Sequence, residues 1–344
     1  LVAVAPADNR NGEDALKTYD FHSHVIPESI IAAMRADPTR YRTQIDEQDG
    51  RRWLLRGKLR LELAPEFWNA DAKLQAMDRK RIDVAVISPG PQVFFHDLPD
   101  DDGIRAARLV NDGTAALVAS RPDRLRGLAT LPLQHPQAAL AELERAAREL
   151  ELRGVEIATV APRGEIADPL YRPLLRRAAE LKMTVFAHPN TIGAGAGRLT
   201  DYYLANIVGN PLETTIMLSH LIYSGALDEL PGLKLLLAHG GGFAPYQIGR
   251  LVHGHRVRPE TRANTASSPK ELLRRLYFDA LTHDPQALRY LIDLVGADHV
   301  LLGSDSPFDM GDEDPVGSIG RVAGLSAAEH GQVCGGNAMH LLGE

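Results

Sequence analysis

Eight short apolar runs punctuate the chain, at residues 18–24, 84–89, 125–133, 154–160, 184–189, 233–239, 276–281 and 299–305. Most are continuously hydrophobic and rich in β-branched residues, as in parallel strands covered on both faces. Between them lie stretches with apolar residues at helical spacing, such as 138–150 and 169–182. Glu142, Glu144, Arg145 and Arg148 in the first of these read as a solvated helix face. Strand and helix alternating eight times predict an α/β chain folded as a single (β/α)8, or TIM, barrel domain over residues 1–344. A doubly wound open sheet is the competitor. It carries a glycine-rich turn after its first strand, where this chain has His22-Ser23-His24.

Two regions break the rhythm. Tyr41 to Ile45 and Arg51 to Leu55 flank Asp49-Gly50, a hairpin pattern, which predicts a small β insertion at about residues 36–70, after the first strand. Residues 193–209 form a glycine-rich loop after the fifth strand, followed by a helical stretch to Leu230. Ser326-Ala-Ala-Glu329 is a capping box that opens the last helix.

At 344 residues and 44% hydrophobic, the chain can bury a large core. A net charge of -7 with scattered basic residues excludes a nucleic-acid surface. No apolar run reaches membrane-spanning length. The opening Leu1-Val-Ala-Val-Ala-Pro-Ala-Asp8 has no basic flank and is too short for a secretory leader, so a soluble, cytoplasmic protein is expected. Cys334 is the one cysteine, which rules out an intrachain disulfide and a thiolate zinc site. Any metal must be held by histidine and carboxylate, a donor set suited to zinc, iron or manganese.

Candidate chemistry collects at the strand ends. His22 and His24 are two residues apart in a strand and so face the same way. His188 closes the fifth run, His239 the sixth and Asp305 the eighth. In a barrel these ends open onto one mouth, where catalytic groups gather. Four of the five groups can ligate one cation as three imidazoles and a carboxylate, with a position left for water. The fifth then moves the proton. His239 is the choice, because Gly240-Gly-Gly242 behind it lets backbone and ring approach a substrate closely. A second ion would need a bridging ligand, such as a carboxylated lysine ending the fourth strand. That strand has no lysine, and Glu156 reads as a polar residue of the barrel interior.

Asp20-x-His22-x-His24 with Val25-Ile26-Pro27, then His188-Pro189, Leu237-Ala-His239-Gly-Gly-Gly, Gly303-Ser-Asp305-Ser-Pro-Phe308 and Gly335-Gly-Asn-Ala338 run in order over nearly the whole chain. Together they resemble the amidohydrolase superfamily, in the branch of aminocarboxymuconate-semialdehyde decarboxylase and related metal-dependent, non-oxidative decarboxylases. The resemblance implies that His22, His24, His188 and Asp305 hold one divalent ion, usually zinc, with manganese or iron as substitutes. It implies that His239 activates metal-bound water, with Asp305 also part of the catalytic group. Family members bind substrate carboxylates with two arginines. One lies eleven residues after the base, where this chain has Arg250, and serves the neighbouring subunit of a homodimer. The other lies in the early insertion, where Arg60 matches best and Arg56 and Arg52 are alternatives.

The pocket walls depart from the family pattern. Asn190 replaces the aromatic after His-Pro, Ser306 replaces a tyrosine, and Tyr203 stands where a tryptophan is expected, whereas Phe308 matches. The expected activity is decarboxylation of a small unsaturated or aromatic carboxylic acid. The alternative is a hydrolase of an amide, lactone or related bond on the same barrel. Among other candidates, His220 reads as a packing residue, and His253 and His255 as surface or interface residues. His283, just past the seventh strand, faces the active side. Asn337 and Cys334 read as structural, and Trp53 and Trp68 as packing for the insertion or walls for the pocket.

Overall fold

A computed structural model describes residues 16–190 and 193–344. The expectation for the opening eight residues lies outside that range. All eight apolar runs are strands of one parallel sheet: β1 (Tyr19–Val25), β2 (Val84–Pro89), β3 (Leu125–Ala129), β4 (Gly154–Ala158), β5 (Thr184–His188), β6 (Lys234–Leu237), β7 (Tyr277–Asp279) and β8 (Val300–Leu301). They pair in chain order. The circle closes between the last strand and the first, where Phe21 N–H donates to the Leu302 carbonyl at 2.9 Å and Ser23 bridges Ser306. A sheet closed this way leaves no edge to cover.

Period-two alternation sorts the side chains. Val84 and Val86 of β2 join Phe21, Leu128, Phe186, Leu236 and Leu301 in the central core. Ala85 and Ile87 turn outward to the layer beneath the helices. The final helix, Asn337–Leu342, sends Ala338, Leu341 and Leu342 into that central core, and Asn337 Nδ2 donates to the carbonyls of Ala297 and Val300.

The insertion holds three antiparallel strands rather than a two-stranded hairpin: Gln44–Gln48, Arg51–Arg56 and Leu59–Glu62. The short third strand alternates Leu and charged residues over four positions, too brief to register as a period. Tyr41 lies in a helical turn, Pro38–Tyr41, because Pro38 at its start and the Asp37 cap favour helix there. The expected solvated face of the helix Pro136–Arg148 also needs correction. Glu142 is buried, accepting from Asn111 Nδ2 at 2.7 Å and from Arg145 on the same helix. The capping box at Ser326 forms, with Glu329 reciprocating, and opens Ala327–Gly331, which runs on through Gln332–Gly336 into the final helix.

Candidate active site

β1 continues to Val25, so His22 lies within the strand rather than at its end. Its register against β2 slips between Asp20 and Ser23, the kind of irregularity that re-aims side chains. The rings of His22 and His24 meet edge to face at 4.9 Å, and each has the His188 ring 5.1 Å away. His239 follows β6 and lies 5.0 Å, ring to ring, from His188. Asp305 Oδ1 is 3.1 Å from His24 Nε2 and 3.3 Å from His22 Nε2, and its Oδ2 is 3.8 Å from His239 Nε2. The fold therefore brings all five predicted groups to one point.

Hydrogen bonds on the far side of each ring decide what faces that point. His22 Nδ1 donates to Asp279 Oδ2 at 2.6 Å, and His188 Nδ1 donates to the Pro189 carbonyl at 2.8 Å. Both rings thus present an Nε2 lone pair inward. The Nε2 atoms of His22 and His24 are only 3.0 Å apart. His188 Nε2 and Asp305 Oδ1 are buried with no hydrogen-bond partner. Lone pairs and an orphaned carboxylate oxygen packed together call for a positive charge between them. One atom each from His22, His188, His239 and Asp305 lies within 4.8 Å of the others, a cluster that fits a cation.

Protonation follows from the same arrangement. Burial drives His24 down to about 4 and His188 well below the usual imidazole range, and neighbouring histidines push His188 further. Burial opposes protonation of His22 too, but the carboxylates of Asp305 and Asp279 outweigh it and hold its pKa well up. Burial alone would raise Asp305, yet the His22 charge and the imidazoles close around it hold it far below the carboxylate norm. The cluster thus sets an ionised Asp305 among neutral His24 and His188 and a His22 that favours its protonated form, whose inner proton a bound cation would displace.

Glu156 lies deeper in the barrel, fully buried, 3.8 Å from His24 Nδ1 and 4.0 Å from His188 Nδ1. Burial pushes its carboxyl up to about 8. The group His24, Glu156 and His188 also meets the distances of a metal cluster. On the Glu156 side, however, His188 offers Nδ1, whose proton is committed to Pro189. Glu156, at the middle of β4, is a buried polar residue of the barrel interior, as expected.

Asp279 escaped the sequence reading. It ends β7, is fully buried, and besides His22 accepts the backbone N–H of His239 at 2.9 Å and of Gly240 at 2.7 Å. Burial would raise its pKa, but the His22 bond holds it low. Its signal was a lone carboxylate inside the apolar run 276–281, where a charge must find a partner to be buried. Lys73 also passed unnoticed. Its buried Nζ donates to the His24 carbonyl at 2.8 Å and to Ser23 Oγ at 3.1 Å, locking the strand that carries two of the imidazoles.

A cavity of about 730 Å³ opens above the cluster, with His239 and Asp305 in its wall. None of the expected substrate residues Arg250, Arg60, Phe308, Asn190 and Tyr203 is among the residues that line it. Phe308 packs 5.1 Å from the His24 ring. Asn190 Oδ1 is buried without a partner. Tyr203 is 53% exposed, and its hydroxyl donates to Asp309 Oδ1 at 3.2 Å. Arg250 is exposed on the helix Ala244–Val257. Arg60 is exposed and stacks 4.2 Å over Trp53; Arg52 stacks on Trp68 and pairs with Glu28, while Arg56 pairs with Asp97.

His220 is exposed, 3.7 Å from Glu165, and not packed as expected, because its helix turns that side to solvent. His253 is exposed, and His255 Nε2 donates to the Thr265 carbonyl at 3.2 Å. No helix among the described residues is long and apolar enough to cross a membrane.

The sequence profile of the family described as "Amidohydrolase" matches residues 19–343. A 2-amino-3-carboxymuconate-6-semialdehyde decarboxylase from Dictyostelium discoideum is 33% identical over 291 residues, covering 84% of this chain and 81% of its own. The crystal structure of 5-carboxyvanillate decarboxylase LigW from Sphingomonas paucimobilis superposes with a TM-score of 0.81 at 25% identity, over 95% of this chain and 99% of that one. A dihydroxybenzoic acid decarboxylase from Polaromonas sp. JS666, solved with bound manganese and the inhibitor 2-nitroresorcinol, shares the fold at a TM-score of 0.76 and 22% identity, over 95% and 97%.

Proposed function

The chain belongs to the amidohydrolase family, and from that premise we propose that it is a metal-dependent, non-oxidative decarboxylase of an unsaturated or aromatic carboxylic acid. The observation that carries the reading is the convergence of His22, His24, His188, His239 and Asp305 at one point, with unpartnered buried ligand atoms on His188 and Asp305 and with His239 and Asp305 bordering the cavity. Relatives over most of the chain bear names of decarboxylases of such acids.

His22, His24, His188 and Asp305 are the residues that would hold the ion. Three imidazoles and one carboxylate suit zinc, with manganese as the substitute named for one relative. The cation supplies Lewis-acid polarisation and neutralises carboxylate charge when bound. His24 is fully buried, whereas His239 is 16% exposed in its side chain and borders the cavity, which makes His239 the proton carrier. Its Nε2 lies 3.8 Å from Asp305 Oδ2, its Nδ1 is buried without a partner, and its backbone N–H donates to Asp279, which fixes the strand end that carries the ring.

The reaction needs a proton placed on the carbon that bears the carboxylate. The carbon–carbon bond then breaks, its electron pair restores the conjugated system, and carbon dioxide leaves. His239 delivers that proton. The cavity walls around it are largely apolar, which strengthens the electrostatic interactions made there. Arg250 of a second copy and Arg60 of the insertion orient the substrate carboxylates by bidentate contacts, and the working unit is a homodimer.

The test is carbon dioxide release from a panel of benzoic, hydroxybenzoic and muconic acids by metal-loaded protein. His239→Asn should lower turnover by roughly 10²–10⁴-fold while bound metal stays constant. Hydrolysis of amides or lactones with no carbon dioxide from any acid would overturn the reading.

A further inference from the structure

The cavity runs in one piece from His239 and Asp305 to Phe243, Tyr246 and Tyr290. Its volume of about 730 Å³ suits a drug-sized ligand, so a single conjugated ring with its carboxylate fills only part of it. The metal group, Arg250 of a second copy and Arg60 serve the carboxylate end, which leaves the other end of the cavity unassigned.

Chain order sets those two ends apart. Arg60 belongs to the insertion that follows β1, whereas Ile207, Phe243, Tyr246 and Tyr290 stand on segments that follow β5, β6 and β7, in another sector of the mouth. These four are large apolar side chains open to solvent: Tyr246 is 79% exposed, Ile207 50%, Tyr290 42% and Phe243 39%. Scattered singly they would be ordinary; gathered in one wall they form the kind of patch that marks a binding site. Polar atoms between them are spent on the protein itself. The Tyr290 hydroxyl donates to the Pro245 carbonyl at 3.0 Å, and the Pro211 carbonyl accepts from Thr215 Oγ1 at 2.7 Å. Asp284 caps the helix Pro285–Val295 by accepting from the N–H groups of Gln286 and Ala287. This end of the cavity therefore offers mainly carbon, and a hydrocarbon group placed there leaves water without stranding a polar partner. His283 lines the cavity too and is exposed, as its place past β7 predicts.

We propose that this wall receives an alkyl chain of the substrate: a conjugated acid whose ring carries a hydrocarbon substituent of several carbons, directed away from the carboxylate that is lost. The inference rests on the decarboxylase reading and adds a substrate class to it. A second copy of the chain seated on the same four residues is the competing occupant, and it would leave the alkyl chain no room.

Calorimetric titration of the zinc-loaded full chain with benzoate, 4-ethylbenzoate and 4-butylbenzoate tests this without requiring turnover. The para chain leads straight away from the carboxylate, and each methylene fully buried is worth about fourfold in affinity. The wild type should bind 4-butylbenzoate at least tenfold more tightly than benzoate, with 4-ethylbenzoate between them. Ala287→Phe, which fills the wall from an exposed helix position, should bring the butyl-to-benzoate ratio close to one. Ile207→Asp, which puts a charge beside the chain, should do the same. A wild-type ratio close to one, as when a second copy occupies the wall, would overturn the assignment, and so would a ratio that survives both substitutions. Failure of the decarboxylase reading shows separately, as absent carbon dioxide release from the acid panel while the dependence on chain length persists.

Discussion

Two oxygens of Asp279 hold two different parts of the site. Oδ2 takes the His22 Nδ1 proton at 2.6 Å and the His239 N–H, while Oδ1 takes the Gly240 N–H. One carboxylate thereby sets the tautomer of a proposed ligand and the position of the proposed proton carrier. Partners that orient ligating imidazoles typically contribute about 10–100-fold in metal affinity. Asp279→Asn should therefore weaken zinc binding by about that factor, read by competition with a chromophoric chelator, and lower turnover as well. Unchanged affinity would mean that His22 needs no such orientation.

At the scale of elements, the strand ends matter more than the strands. Gly303 sits between β8 and Asp305, where an added Cβ would lie 2.7 Å from His22 Cβ and 3.0 Å from Asp279 Cβ. Neither neighbour can swing away, since both atoms are fixed to their backbones. Gly303→Ala should cost roughly 1–3 kcal/mol of stability by overpacking, measurable by urea unfolding, and should disturb metal binding in the same variant. The eight barrel strands were legible because most are continuous apolar runs between helical stretches, and the polar residue closing a run marked His188, His239 and Asp305. What stayed hidden depended on contacts between elements. Asp279 falls inside the run 276–281 rather than closing it, and Lys73 looks like any surface lysine until its helix Ala70–Arg79 packs on β1. Glu142 likewise reads as a solvated charge until Asn111 and Arg145 close over it. The third insertion strand is pinned by pairing with Arg51–Arg56 rather than by its own four residues.

For the whole molecule, the proposed arrangement joins a stoppered barrel, an open mouth and a second copy. Arg250 lies outside the cavity lining of its own chain and exposed on its helix, as a group that serves a neighbour would be. Mixing two inactive variants, His239→Asn and Arg250→Ala, tests the point. Mixed dimers contain one site with an intact His239 and a partner-supplied Arg250, so activity should return on mixing under conditions that exchange subunits. No recovery from fully exchanged dimers would place Arg250 in its own chain's site or outside any site.

The central claim is that this barrel replaces a carboxylate with a proton, and the product's mass tests it most directly. A turned-over acid, labelled with ¹³C in its carboxyl group, is to be incubated in heavy water with the metal-loaded protein. The account predicts that all the label leaves as carbon dioxide and that the product carries one deuterium at the vacated carbon. A product that retains the label and has gained the elements of water would contradict it.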